Sequence, residues 1–375
     1  MTFELVKDPT RDRWNEFASG HPQGTVFQSY EWGQVRRAQG WEPHYIALER
    51  DGAWHASCLM LGKTLPGGLG TILYSPRGPL VGTQPGAMAE LAGLIAKRAA
   101  DLRAILWRID PPVRLEDASM AQEYARLGFH AVPQEWSYWN RPKYEMQLDL
   151  SPGEAAVFAK LGSKIRTKIR HAGKRGVTVD EACGEADIDE FHRLMRGTGM
   201  KKGIPVRSLV YFRTLYDLFV KSGMARLFLA RKDGAAVAGG LTIRFGPTAT
   251  LLYLSNDYSM QRAGWAVQWD MIRWAIAHGC TLYDFGGTGT SDPPKETDKG
   301  YGVYQFKRSF GAEIVRWYGY ADLPFSRLRY AGFRLIERLL PYGEQVFLEW
   351  PKALSRRRRG GPSDRAAEKD SSDKP

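Results

Sequence analysis

The sequence predicts an α/β protein of two tandem modules, and three observations carry that reading. The first is a repeat: Tyr45-Ile-Ala-Leu-Glu-Arg-Asp-Gly-Ala-Trp-His-Ala-Ser-Cys58 has a counterpart 182 residues further on, in Leu227-Phe-Leu-Ala-Arg-Lys-Asp-Gly-Ala-Ala-Val-Ala-Gly-Gly240. The second is that the same order of elements follows each copy. The third is bulk: 375 residues, 43% hydrophobic, with 17 Tyr, 16 Phe and 12 Trp, suffice for two apolar cores.

Each copy reads as a strand, an Asp-Gly turn that tolerates positive φ, and a second strand. A further strand ending in tyrosine comes next, Thr71-Ile-Leu-Tyr74 in one half and Thr250-Leu-Leu-Tyr253 in the other. Helices are predicted over 87–103 and 267–278, leading to strands at Ile105-Leu-Trp-Arg-Ile-Asp110 and Thr281-Leu-Tyr-Asp-Phe285. The run Pro142-Lys-Tyr-Glu-Met-Gln-Leu-Asp-Leu-Ser-Pro152 passes from an alternating strand into a proline-started helix. The modules are therefore set at 1–148 and 149–319. Beyond Pro324, Phe325, Leu328, Leu335, Ile336, Leu339 and Leu340 recur at helical spacing, so 320–354 is predicted to pack back on the first module. Residues 355–375, opening with Ser355-Arg-Arg-Arg-Arg-Gly360, read as a disordered basic tail.

Composition narrows the function classes. The three cysteines, Cys58, Cys183 and Cys280, are far apart and imply neither a disulfide framework nor a metal knuckle. The start, Met1-Thr-Phe-Glu-Leu-Val-Lys-Asp-Pro, has acids and a proline where a signal peptide needs a basic and then an apolar stretch. With a mean hydropathy of −0.40 and no apolar run of spanning length, a cytoplasmic protein is expected. A net charge of +12 favours a polyanionic partner.

Four segments carry candidate chemistry. Tyr283-Asp-Phe-Gly-Gly-Thr-Gly-Thr290 reads as the carboxyl end of a buried strand opening into a glycine turn, where α/β folds place ligands. Gly302-Val-Tyr-Gln-Phe-Lys-Arg-Ser-Phe-Gly311 reads as a second strand on which Lys307 shares a face with Gln305. Between Glu154 and Asp180 there is no acid, yet Lys160, Lys164, Arg166, Lys168, Arg170, Lys174 and Arg175 fan around a helix held by Leu161, Ile165 and Ile169. A solvated face usually mixes signs, so this one predicts a phosphate-tracking surface, most simply for RNA. Gln261-Arg-Ala-Gly-Trp-Ala266 fits a loop that holds a coenzyme A pyrophosphate, or else a plain glycine-assisted helix start. The seven histidines show no metal-ligand spacing, and no Gly-x-Ser-x-Gly elbow is present.

These patterns together resemble the Fem family of peptidoglycan bridge-forming aminoacyltransferases, the FemA, FemB and FemX group. The resemblance spans about residues 25–323 and includes Gln28-Ser-Tyr-Glu-Trp-Gly-Gln-Val-Arg36, Tyr74-Ser-Pro-Arg-Gly-Pro79 and Trp107-Arg-Ile-Asp-Pro111. It implies two tandem GNAT-like acyltransferase modules in the compact form without a helical arm. It also implies aminoacyl-tRNA as co-substrate, no other cofactor, and a UDP-linked or lipid-linked muropeptide precursor as acceptor. On this resemblance Arg36, Arg207, Tyr211 and Tyr253 contact the acceptor, with Arg36 replacing the lysine frequent among relatives. Lys307 stabilises the oxyanion, and the basic helix from Lys164 to Arg175 meets the tRNA. Asp110 suits a base for the incoming ammonium, or else a turn aspartate ahead of Pro111-Pro112. Asp284 suits a hydrogen bond to the Gly286-Gly287 turn. An acyl-CoA N-acyltransferase and a non-catalytic RNA-binding or membrane-surface protein are the alternatives. The basic tail suits peripheral contact with the inner face of the membrane.

Overall fold

The computed structural model describes residues 3–133, 142–174, 176–182, 184–203, 205–257, 261–288, 292–298 and 300–339. In the first module β1 (Glu4–Leu5) is followed by α1 (Arg11–Gly20) and α2 (Tyr30–Ala38). Ser29 caps α2 by accepting from the Trp32 amide, with Glu31 in the first turn and Arg36 and Arg37 in the last, as the helix dipole favours. Then come β2 (Glu42–Arg50), β3 (Ala53–Leu65), β4 (Gly70–Ser75), β5 (Leu80–Val81), α3 (Ala87–Asp101), β6 (Ala104–Ile109), α4 (Ala118–Arg126) and β7 (His130–Ala131).

The second module runs β8 (Tyr144–Asp149), α5 (Glu154–Lys160), α6 (Ser163–Lys174), β9 (Thr178–Glu181), α7 (Glu185–Lys202), α8 (Leu209–Leu215), β10 (Ala225–Lys232), β11 (Ala235–Phe245), β12 (Thr248–Asn256), α9 (Gln261–Ala277), β13 (Leu282–Gly287), α10 (Tyr301–Arg308) and β14 (Glu313–Arg316). The chain then returns to the first module through β15 (Ala321–Pro324) and α11 (Arg327–Leu339). Among the described residues one sheet has the order β1-β2-β3-β4-β6-β15-β7, with β5 beside β3, and the other β14-β8-β13-β12-β11-β10-β9.

The repeat expected from sequence is a repeat in space. The β2–β3 hairpin turns at Asp51 and Gly52 (φ 54° and 79°) and the β10–β11 hairpin at Asp233 and Gly234 (φ 51° and 79°). In each module a third strand, a helix and a parallel fourth strand follow: β4, α3 and β6, then β12, α9 and β13. Each sheet is completed by a strand from outside the repeat, β15 beside β6 and β8 beside β13, both antiparallel.

Two expectations need correction. β8, which the 148/149 division assigns to the first module, lies in the second sheet, because its alternating residues pair with β13 and β14. The segment carrying Lys307 is the helix α10 and not a strand. Tyr301 with Tyr304, and Phe306 with Phe310, have helical spacings, and both phenylalanines pack on Trp265 of α9 with ring centroids 4.6 and 5.3 Å away.

Three apolar clusters fill the layers. One lies under α3 and α4, with Met88, Leu91, Ile95, Trp107 and Tyr124. Another lies between α6, α9 and the second sheet, with Ile165, Val267, Met271 and Tyr283. The largest is shared, joining Trp14, Trp32 and Val35 of the first module to Phe191, Phe212 and Phe219 of the second. The modules are thus one packed body.

α11 docks on the first module as expected, but through a polar lock. Arg108 of β6, fully buried, donates to Asp322 Oδ1 at 2.7 Å and Oδ2 at 2.8 Å, and to Glu337 of α11 at 2.5 Å. Tyr330 donates to Asp322 at 3.0 Å, and Phe333 is buried. Leu328 and Leu335, expected in the packed face, are 85% and 58% exposed, because the face bearing Phe333 and Glu337 turns inward. Residues 340–375, including Leu340 and the basic tail, lie outside the described residues. Among the described residues no helix is long and apolar enough to cross a membrane.

Candidate active site

A gap between two parallel strands organises the site. In the first module β4 and β6 stay paired from Thr71↔Ala104 to Ser75↔Ile109. In the second, pairing of β12 with β13 runs only from Thr248↔Leu282 to Thr250↔Asp284, although β12 continues to Asn256 and β13 to Gly287. Past Thr250 and Asp284 the strands separate, leaving Tyr253 on one lip and the Gly286-Gly287 turn on the other.

The β13 lip is held by short-range bonds. Asp284 Oδ1 accepts from the Gly286 amide at 2.8 Å, the turn hydrogen bond expected of it. Gly286 sits at φ 69°, where a side chain is strained, and a Cβ on Gly287 would come within 2.3 Å of the Pro142 ring. Lys307 of α10 is only 6% exposed and donates its ammonium to the Gly287 carbonyl. That contact fixes one buried cation at the end of β13.

The opposite lip collects residues from both modules. Tyr253 of β12 donates to the Tyr211 hydroxyl of α8 at 3.1 Å, and the Arg207 guanidinium stands over the Tyr211 ring at 5.9 Å. Ser208 caps α8 by accepting from the Tyr211 amide, which sets that ring's direction. Burial, then the Tyr211 hydroxyl, push the Tyr253 phenol well above its ordinary pKa, while the nearby charges of Arg207 and Arg36 oppose the shift. Arg36 reaches in from α2, only 7% exposed, donating to Gln39 at 2.7 Å and lying over the Trp41 ring at 5.1 Å. Two guanidinium groups and two phenols face one region, a set suited to phosphate or carboxylate oxygens.

Behind the β13 lip, on its β8 side, a buried ion network joins the modules. Arg77, only 3% exposed, donates to Glu145 Oε1 of β8 at 2.8 Å and to the Pro142 carbonyl at 3.1 Å. Its amide donates to Asp110 Oδ1 at 2.7 Å, and its guanidinium lies 3.8 Å from Asp110 Oδ2. Trp317 covers Arg77 at 5.2 Å and donates to Glu145 Oε2 at 2.8 Å. Burial alone would lower the Arg77 pKa, but the charges of Glu145 and Asp110 hold it above the ordinary value. Because Glu145 is paired in register with Gly287, the network abuts the lip that carries Lys307.

The FemAB family matches residues 10–233, and an acetyltransferase (GNAT) domain matches 159–308. The chain belongs to the FemAB family. This FemAB chain is 29% identical over 329 residues to a UDP-N-acetylmuramoylpentapeptide-lysine N(6)-alanyltransferase of Weissella viridescens, across 84% of this chain and 93% of the relative. It is 24% identical over 421 aligned positions to a lipid II:glycine glycyltransferase of Staphylococcus aureus (strain USA300), across 93% of this chain and 99% of the relative. The crystal structure of FemX shares its fold with a TM-score of 0.80 at 23% identity, over 89% of this chain and 100% of that one. It is an acyltransferase with tandem GNAT-like modules.

Within this FemAB chain the expected residues fall into three groups. Arg36, Arg207, Tyr211 and Tyr253 gather on one lip, and Lys307 stands on the other. Asp110, expected as a base or a turn aspartate, is 1% exposed, its Oδ1 accepting from the Arg77 amide and its Oδ2 lying 3.8 Å from the Arg77 guanidinium. The basic helix divides. Arg166 donates to the Ala159 and Leu161 carbonyls at 2.7 and 2.9 Å, closing the end of α5. Lys168 lies over Trp265 at 4.2 Å and Arg170 over Phe158 at 5.4 Å. Lys164 and Lys174 project outward, and Arg175 lies outside the described residues. Residues 261–266 form the first turns of α9 and not a loop. Sequence reasoning gave no role to Glu145 or Trp317, whose partners are distant in the chain. Arg77 stands in the sequence only within the Tyr74-Ser-Pro-Arg-Gly-Pro79 signature.

Proposed function

We propose that the protein transfers an amino acid from aminoacyl-tRNA to the stem-peptide amine of a UDP-linked or lipid-linked peptidoglycan precursor, at the inner face of the cell membrane. The observation that carries this reading is the pairing of the two lips. A cationic, phenol-lined patch suited to a diphosphate or carboxylate faces a buried ammonium suited to a developing oxyanion. The names of the Weissella and Staphylococcus relatives, an alanyl- and a glycyltransferase, support this substrate class. The acyl ester is already activated, so the protein has mainly to position the two reactants and to stabilise the tetrahedral charge. The amine nitrogen attacks the ester carbonyl as its C–N bond forms. The Lys307 ammonium meets the negative oxygen. The C–O bond to ribose then breaks, and a proton from the nitrogen leaves with the ribose oxygen, giving an amide and a free hydroxyl.

A second reading, acyl-CoA-dependent N-acylation, is favoured by the GNAT domain match over 159–308. One assay separates the two. Purified protein is mixed with radiolabelled aminoacyl-tRNAs and either precursor, with and without RNase pretreatment. RNase-sensitive label in the muropeptide is the expected result. Consumption of acetyl-CoA with no tRNA-borne label transferred establishes the second reading instead.

A further inference from the structure

A cleft of about 490 Å³ opens between the end of α5, the start of α6 and the end of α10. Three cations line it, Lys160, Lys164 and Arg308, with Ser163 and Ser309 beside them and Gly162 between α5 and α6. Its lining contains no acidic side chain. All three cations are exposed, and none forms a salt bridge among the described residues. Elsewhere the exposed arginines commonly have a carboxylate: Arg213 has Asp189 at 3.0 Å, and Arg273 has Glu154 at 2.9 Å. Arg166, Lys168 and Arg170 are spent on the chain's own carbonyls and rings, and Arg308 stands 6.0 Å over the Tyr304 ring, yet Lys160, Lys164 and Arg308 all line one concavity.

The position of the cleft matters as much as its charge. Arg308 follows Lys307 on α10. Lys307 turns inward to the Gly287 carbonyl, while Arg308 turns outward to line the cleft. The cleft and the cation assigned to the reacting ester thus share one helix, α10, on faces about 100° apart. Lys174 carries positive charge further along α6, about 15 Å along the helix axis from Lys164 at 1.5 Å per residue. An anion that meets both must be extended.

Resting on the aminoacyl-tRNA reading above, we propose that this cleft holds phosphodiesters of the RNA strand that ends at the reacting ester. Lys160, Lys164 and Arg308 neutralise its phosphates, and Ser163 and Ser309 supply hydroxyl donors. The contacts fix the register of the strand and carry no base specificity. The acceptor's phosphates stay with Arg36 and Arg207 on the other lip.

The test is charge reversal in the full chain, Lys164→Glu with Arg308→Glu, against a control of equal charge change on the first module, Lys97→Glu with Arg126→Glu. All four side chains are exposed, so folding is not at stake. Steady-state transfer gives KM for aminoacyl-tRNA and for muropeptide. Fluorescence anisotropy with an uncharged acceptor-stem RNA hairpin gives binding as a function of salt. The cleft variant is expected to raise KM for the RNA donor at least tenfold and to flatten the slope of log K against log salt by about one per cation lost. KM for the muropeptide should stay within twofold, and the control should change neither quantity. An unchanged RNA slope, an equal change in the control, or a rise confined to the muropeptide KM overturns the proposal. If the unaltered protein transfers nothing from any tRNA, the functional reading fails on its own. The hairpin slopes then still decide whether the cleft binds RNA.

Discussion

The two modules repeat one order of elements, but the central parallel strands stay closed in the first and open in the second. β4 and β6 remain in register to Ser75↔Ile109, and β6 is then covered by β15 and pinned to α11 through Arg108. β12 and β13 part after Thr250↔Asp284, and the gap receives Tyr253, the Gly286-Gly287 turn and Lys307. One copy of the fold has become a scaffold and the other a site. The scaffold still reaches the site, by Arg36 on one lip and by Arg77 behind the other.

The closed module should break most visibly in stability. Arg108→Leu leaves the buried Asp322 and Glu337 with Arg334 as their remaining cation, a break in a buried network that costs up to about 3–5 kcal/mol. A urea titration followed by circular dichroism should show the midpoint falling accordingly. A loss below 1 kcal/mol would mean that the lock is not what keeps that module shut.

The open module should instead break at its lip. In Gly287→Ala the new methyl meets the Pro142 ring, and such overpacking costs about 1–3 kcal/mol. Because the displaced carbonyl is the acceptor for Lys307, transfer activity should drop more than stability accounts for. Equal losses in both would detach the turn from the chemistry.

A smaller effect is expected at the junction. Tyr253→Phe removes one hydrogen bond to Tyr211, worth about 0.5–1.5 kcal/mol. The change should appear in KM for the muropeptide and leave KM for the RNA donor alone. The reverse pattern would exchange the substrates between the two lips.

The smallest prediction concerns pH and again separates the modules. His21 and His44, both in the first, have pKa values lowered by burial, helped at His44 by the Arg98 charge. The unfolded chain therefore binds protons below about pH 6.5 that the folded chain does not, so stability declines as pH falls below that value. Replacing both by asparagine should flatten the decline in urea midpoint between pH 7 and 5.5. If the slope persists, the titrating groups lie elsewhere.

Most of the scaffold was legible because its signals are local. The Asp-Gly turns, the tyrosine-ended strands and the helix before each fourth strand are short patterns, and each reappears at its place in space. The glycine turn after β13 was legible for the same reason. Lys307 was singled out but set on the wrong element, since Tyr304-Gln-Phe-Lys-Arg alternates like a strand within five residues. Its helical spacing shows only when Tyr301 and Phe310 are included. The basic helix was legible only as a run of charge. Counting charges could not tell that Arg166 closes α5 or that Lys168 lies on Trp265. Asp110, Arg77, Glu145 and Trp317 depend on contacts across both modules, and no spacing in the chain records those.

The central claim is that the chemistry belongs to the open gap and that Lys307 acts on the transition state. Single-turnover transfer by Lys307→Met, with the dissociation constant of the muropeptide measured separately, tests it most directly. The account predicts a rate lower by about 10²–10³-fold, the effect of removing one preorganised oxyanion donor, with muropeptide affinity within a few-fold of the unaltered protein. A rate within threefold of the original, or a loss that appears wholly as weaker muropeptide binding, would contradict it.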